Sequence, residues 1–277
     1  MVGKYRLWDM SWMEAEEAFG EAELVVLPVG TLHGHGPTPI SIDSSSVEEI
    51  ARRIGERTGV LTLPLLVYGE NEKQKSYPGS ITISPDTLEE VYLDVFRSIK
   101  RNGVDKVVVL NGHGGNREVL VRACLRAREF SMVVAILEWY RIGLDLVPEL
   151  YEEAGGGFMM ELALAMAIQG EDIADVRPGE GYKGEWGAPY TMRDVFGDEI
   201  EPQGFHSFKC KNAGIIIPID AWDLDLEGPP KLTREDLGPL KKIGEEVLER
   251  VVNYTIDFIE TFRGVEIDEA LETTDEF

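Results

Sequence analysis

Three of the four histidines of this chain stand among residues that favour metal chemistry. His33 and His35 flank a single residue in the run from Leu24 to Asp43, and His113 sits in Asn111-Gly112-His113-Gly114-Gly115-Asn116. Asp43 closes the first run. Imidazole nitrogens with a carboxylate are donors that zinc and its first-row neighbours accept. His-x-His alone is a weak sign. A loop whose polar side chains face solvent explains it as simply. The second motif strengthens it, because both histidine motifs follow an apolar run that reads as a strand. Ends of parallel strands face one edge of a sheet, where ligands bind.

Two carboxylates join this set. Glu161 falls on a helical face with Leu164, Ala165 and Ile168. A carboxylate on an apolar face is costly to bury without a cation or a hydrogen-bond partner. It reads as a metal ligand or proton carrier, or else as a helix-start residue favoured by the macrodipole. Glu138 ends a strand and is the candidate catalytic residue, with a structural place near the sheet edge as the alternative. His206, among aromatics, reads as a satisfied or exposed histidine. Gly112 to Gly115 could cradle a phosphate before a helix, but no Walker pattern and no G-x-G-x-x-G after a strand accompanies it.

The elements that must hold these residues follow from periodicity. A short amphipathic helix spans 11–19 and a strand 24–29. Ser44, Ser45 and Ser46 offer N-caps to a helix carrying Val47, Ile50, Ala51 and Ile54. Val60 to Val67 is a second apolar run, so the first unit reads β-α-β. Tyr68 to Gly79 is a polar loop. Ser84-Pro85 opens a helix with Ser as cap, and Gly103 ends it. Lys106 to Leu110 and Met132 to Leu137 are unalternating strands, suited to a sheet covered on both faces. Asn116 opens a helix between them. A further helix runs from about Phe158 to Gln169, residues 170–212 are irregular, Gly214 to Ile219 is a last strand, and a long helix closes the chain. Glu266 to Phe277 reads as a loose acidic tail. Repeated β-α units around one core imply a single α/β domain over residues 1–277.

Composition narrows the partners. With 51 acidic and 27 basic residues the net charge is −24, which argues against nucleic acid and anionic membrane surfaces. No apolar run reaches membrane-span length, and the first residues lack an apolar signal core. Cys124 and Cys210 are the only cysteines, so no disulfide framework is implied and a reducing cytoplasm fits.

At these residues a resemblance enters. Pro28-Val29-Gly30 with His35-Gly36-Pro37 and Asp43 resembles the opening motif of the creatininase (creatinine amidohydrolase) family. Tyr77-Pro78-Gly79-Ser80-Ile81 is similar to that family's aromatic-Pro-Gly-Thr segment, and Asn111 to Asn116 matches its Asn-Gly-His-Gly-Gly-Asn signature in full. Order and spacing agree from about residue 24 to 169. The resemblance implies a three-layer α/β/α sandwich with a mostly parallel sheet, a centre of one or two divalent ions (Zn, Mn or Fe), a small-molecule substrate and a homo-oligomer, often a hexamer. It places His35, Asp43 and His113 as metal ligands, Asp43 bridging. His33 stands where most members carry a Glu, and Glu161 stands near the Glu of a His-Ala-Gly-x-x-Glu segment that here reads Glu153-Ala154-Gly155 with extra residues. Where members often have Glu-His, this chain has Lys73-Gln74. Tyr68, Gln74 and Asn116 are the candidates for substrate contact.

The departures fall on the substrate side and argue against creatinine itself. The expected activity is hydrolysis of a C–N bond in a small cyclic amide or formamide by metal-activated water, with Glu138 or Glu161 moving protons. The alternatives are ring-opening C–C hydrolysis of a cyclic ketone such as 3-dehydro-scyllo-inosose, the inosose-hydrolase branch of the resemblance, and a non-catalytic metal- or nucleotide-binding module.

Overall fold

Runs of Val, Leu and Ile without polar alternation build the central sheet. In the computed structural model, which describes residues 4–35, 38–72, 74–75, 79–155, 157–173, 200–204, 207–211, 213–216 and 233–266, helix α1 (Trp12–Glu21) precedes strand β1 (Val25–Val29). Then come α2 (Ile42–Thr58), β2 (Leu61–Thr62), α3 (Pro85–Arg101), β3 (Lys106–Asn111), α4 (Asn116–Ala127), β4 (Val133–Glu138), α5 (Trp139–Leu146), α6 (Pro148–Ala154) and α7 (Gly157–Gln169). The strands β5 (Ile200–Gly204), β6 (Ser207–Cys210) and β7 (Ala213–Ile216) precede the last helix, α8 (Arg234–Arg263).

The first sheet has the order β2-β1-β3-β4, every neighbouring pair parallel. Alternate residues of each strand feed opposite faces. Val26, Val108 and Leu110 pack with α2, α7 and α8, whereas Val25, Leu27, Val107 and Val109 pack with α3 and α4. These two cores make the three layers: helices, sheet, helices. Each fully buried Val or Leu in them contributes about 1.5–3 kcal/mol of transfer free energy.

Several boundaries differ from the periodicity reading. Helix α2 starts at Ile42, so Ser44, Ser45 and Ser46 lie inside it and do not cap it. Asp43 thereby enters the first turn, where the macrodipole favours a negative charge. Ser84 holds the N-cap position of α3 without capping it; its hydroxyl bonds the Thr87 side chain at 2.9 Å. Beyond Leu61–Thr62 the apolar run to Val67 leaves the ladder and keeps a single isolated bridge, Leu66 to Val29. Of the strand expected at 214–219, residues 214–216 lie in β7, paired antiparallel with β6 in a separate three-stranded sheet, and 217–219 lie outside the described residues. Helix α7 is not amphipathic: Met159, Met160 and every residue from Leu162 to Met166 are buried. A helix apolar all round belongs inside, and α7 lies in the core with α2 and α8.

Candidate metal centre

Strand β1 sits between β2 and β3, so the chain leaves β1 in one direction and the fold later returns on its other side. Such a switch point opens a crevice beyond the carboxyl ends of the strands. Val29 and Asn111, the last residues of β1 and β3, are in register there. The loop after β1 carries His33 and His35, the first turn of α2 carries Asp43, and the turn between β3 and α4 carries His113. Helix α7 brings Glu161 from the core side.

Five side chains therefore meet. Asp43 Oδ2 lies 2.7 Å from His113 Nδ1 and 3.1 Å from His33 Nε2, and the two ring nitrogens are 3.3 Å apart. The other oxygen, Oδ1, lies 3.3 Å from His35 Nε2, which in turn is 3.8 Å from Glu161 Oε2. Two donor triads share Asp43: His33–Asp43–His113 and His35–Asp43–Glu161. His33, His35, Asp43 and His113 are buried.

Each ring is held by its far nitrogen. His33 Nδ1–H donates to the Gly34 carbonyl (3.1 Å), His35 Nδ1–H to the His33 carbonyl (3.0 Å) and His113 Nε2–H to the Glu70 carbonyl (2.9 Å). A carbonyl can only accept, so each neutral ring keeps a bare nitrogen aimed at Asp43. Backbone anchoring of the outer nitrogen is what metal-ligating histidines show.

Electrostatics without an ion fit a site built for one. Burial pushes His33 down to about 4, against the pull of Asp43. Burial also opposes charge on His35, yet Asp43 and Glu161 outweigh it and raise His35 to about 9. Asp43 is held well below the carboxylate range because the three histidines outweigh its burial. Burial, helped by Asp43 and opposed by His35, raises Glu161 to about 7. Its Oε2 is enclosed and has no hydrogen-bond partner among the described residues. An orphaned carboxylate oxygen beside buried nitrogen and oxygen donors suits a divalent cation, which would displace the proton on His35.

The glycines of the His113 motif are required by close approach. A Cβ on Gly112 would lie 1.8 Å from the Asp43 carbonyl oxygen, and one on Gly115 would lie 2.5 Å from His113 Nε2.

Glu138 lies outside both triads. Arg117 grips both of its oxygens (2.6–3.0 Å), Tyr140 donates to Oε1 at 2.7 Å, and Asn111 Nδ2 donates to Oε1 at 3.1 Å. Burial opposes its charge, but these bonds win and hold the pKa low. The same Asn111 amide donates to the His113 carbonyl (2.8 Å), and its oxygen accepts from the His113 N–H (3.2 Å). Asn116, expected to touch substrate, is fully buried instead. Its oxygen accepts from the Glu70 N–H (2.9 Å) and its amide donates to the Gly30 carbonyl (3.1 Å), so it ties loops together. Gln74 is buried and Tyr68 exposed. His206, Gly36, Pro37, Lys73, Tyr77 and Pro78 lie outside the described residues.

Sequence reasoning missed Arg117, Tyr140 and the Glu70 carbonyl. The parallel register that pairs Asn111 with Glu138 is the signal that leads to the first two.

A family model described as creatinine amidohydrolase matches residues 8–209. The chain belongs to the creatininase family. As a creatininase-family member it is a metal-dependent hydrolase. It is 29% identical over 182 residues to a creatinine amidohydrolase of Pseudomonas putida, covering 57% of this chain and 70% of that one. A mycofactocin precursor peptide peptidase of Mycolicibacterium smegmatis is 30% identical over 107 residues, 36% of this chain and 43% of that protein. A 3-dehydro-scyllo-inosose hydrolase of Thermotoga maritima is 24% identical over 135 residues, 47% and 43% of the two. The last two alignments thus span less than half of those relatives. A crystal structure of creatinine amidohydrolase shares the fold with a TM-score of 0.70 at 23% identity, covering 95% of this chain and 100% of that one. Solved creatininases described as Zn-Zn type and as Mn each have a TM-score of 0.67 at 24% and 22% identity, covering 95% of this chain and 99% and 100% of theirs.

Proposed function

We propose that this creatininase-family hydrolase cleaves a C–N bond of a small polar cyclic amide or formamide. The observation that carries the reading is the sharing of Asp43 between two donor triads at the carboxyl edge of the sheet. His33, Asp43 and His113 would hold one divalent ion, Zn, Mn or Fe, and His35, Asp43 and Glu161 a second. A bound ion there supplies a water of lowered pKa and polarises a carbonyl.

The chain's own residues do the rest. The Gly34, His33 and Glu70 carbonyls fix the three rings, so the site is formed before substrate arrives. Asp43 stays ionised and takes no proton. Glu138, the expected proton carrier, is held ionised by Arg117 and acts in this reading as a positioning residue, fixing Asn111 and through it His113. Glu161 would serve the second ion as a ligand, and that ion would replace the proton its carboxyl holds in the metal-free protein. Tyr68 and Gln74 remain the proposed substrate contacts. Exposed Trp8, Trp12 and Met13 support a homo-oligomer, and the free Cys124 and Cys210 fit a reducing cytoplasm.

A second reading, ring-opening hydrolysis of a cyclic polyol ketone, is supported by the similarity to the inosose hydrolase. A panel of lactams, cyclic ureides, formamides, short peptides and cyclic polyol ketones, assayed with chelated and Zn- or Mn-restored protein, separates the readings. Metal-dependent release of an amine or acid from a cyclic amide or formamide is expected. Turnover of ketones alone moves the assignment to C–C cleavage, and a protein that retains no metal overturns both.

A further inference from the structure

Glu138 faces more positive charge than its burial requires. Arg117 already grips both of its oxygens through Nε and Nη2, at 2.6–3.0 Å. One guanidinium in such a two-point grip compensates a buried carboxylate. Arg141 adds a second, with Nη1 3.7 Å from Glu138 Oε2, beyond hydrogen-bond reach. Two guanidiniums around one carboxylate leave one positive charge over. Among the described residues Arg117 Nη1 makes no hydrogen bond, and Arg141 has no carboxylate within hydrogen-bond distance. The two side chains are 42% and 60% exposed, so the surplus charge faces solvent in a chain of net charge −24.

The pair borders the candidate metal centre. Arg117 Nη2 donates to the Tyr140 hydroxyl at 3.4 Å, and a Cβ on Gly114 would meet that hydroxyl at 3.7 Å. Gly114 follows His113 and is exposed, so the His113 turn opens to solvent beside the pair. Asn111, bonded both to Glu138 and to the His113 carbonyl, links the two from the end of β3.

We infer that Arg117 and Arg141 bind a carboxylate of the substrate, so that the amide or formamide hydrolysed here is an anion. The inference rests on the proposed function and narrows its substrate class. A guanidinium offers paired donors that match the two oxygens of a carboxylate. One leftover positive charge suits a singly charged carboxylate better than a doubly charged phosphate. The acidic surface does not forbid this, because exposed charges more than about 10 Å away are screened at 0.1 M salt and the local pair decides.

The test compares matched compounds that differ by one carboxylate: pyroglutamate with pyrrolidinone, dihydroorotate with dihydrouracil, and N-formylglycine with N-methylformamide. The full chain is assayed with Zn or Mn restored. In whichever pair is turned over, kcat/KM should be higher for the acid by about tenfold, mostly through KM. The gap should shrink as salt rises. Arg141→Gln should bring the ratio towards one, and Arg141→Lys, which keeps the charge, should restore part of it. Arg141 is exposed and belongs to neither core, so both variants should fold. Calorimetry with the same compounds on chelator-stripped protein reads binding without turnover. Tighter binding of the acids, weakened by Arg141→Gln, with no pair hydrolysed would keep the carboxylate site and overturn the amide reading. Equal kcat/KM and equal affinity within every pair, or an acid preference that Arg141→Gln leaves unchanged, overturns the inference and leaves the hydrolase reading standing. No turnover and no binding of any acid overturns both.

Discussion

Oδ2 of Asp43 lies 2.7 Å from Nδ1 of His113, although the two are 70 residues apart in the chain. The parallel pairing of β1 with β3 makes this possible, because their ends stand side by side. One carboxylate from the first turn of α2 then reaches both triads.

Removing His113 tests the shared centre most directly. His113→Ala takes a donor from the His33–Asp43–His113 triad without touching the two hydrophobic cores. Metal affinity should fall by at least about tenfold, since even losses one shell further out cost about that much. Hydrolysis should disappear with the metal, while the metal-free far-UV spectrum stays that of the wild type. Full metal content in the variant would remove His113 from the site.

Glu161 carries a pH signature. Its pKa in the metal-free protein is raised to about 7 from an ordinary 4.5, by burial first and Asp43 second. The folded protein thus keeps a proton that the unfolded chain releases. Below pH 4.5 the group costs nothing. The cost appears as pH rises from there and is complete above 7. Glu161→Gln has no such proton. Metal-free variant should therefore be more stable than metal-free wild type above pH 7, with the gap closing towards pH 4.5. Its metal affinity should drop. Unchanged metal stoichiometry with a slightly less stable metal-free variant would assign Glu161 to the helix dipole alone.

Arg117 and Glu138 predict the opposite slope. Burial pushes Glu138 up, but Arg117, Tyr140 and Asn111 hold it low. A lowered carboxylate pKa contributes stability above the unfolded value and loses it as pH falls through the folded one. Arg117→Met leaves Glu138 buried with Tyr140 and Asn111 as neutral hydrogen-bond partners and only Arg141, at 3.7 Å, as a charged one. The expected loss near neutral pH is about 1–3 kcal/mol, towards the lower end because Arg117 is partly exposed. Urea midpoints measured across acidic pH should also show the variant losing less of its remaining stability than the wild type.

Gly115 tests packing against chemistry. A Cβ there would meet His113 Nε2 at 2.5 Å and the Glu70 carbonyl oxygen at 2.6 Å, so it displaces the bond that holds the ring. Gly115→Ala should cost about 1–3 kcal/mol from overpacking. Metal affinity should fall by about 10–100-fold from the lost anchor. Gly20→Ala, in open space on α1, is the control. It should leave metal binding alone and gain up to about 1 kcal/mol of helix propensity.

The donors were legible in the one-dimensional record because their chemistry is scarce. Few residue types ligate metals, and His33, His35, Asp43 and His113 each follow an apolar run that had to be a buried strand. The alternation of Val and Leu without polar breaks was enough for a covered parallel sheet. Periodicity fails where burial is two-sided: it gives α7 one apolar face bearing Glu161, whereas Met159, Met160 and every residue from Leu162 to Met166 are buried and Glu161 is only partly so. Only the tertiary structure decided which nitrogen each ring offers, because that depends on carbonyls of Gly34, His33 and Glu70 whose direction is a property of folded loops. It also decided that Asn116 ties loops and that Glu138 answers to Arg117. A residue's type limits the bonds it can form, but which of them it forms is set by neighbours that the chain brings close only when it folds.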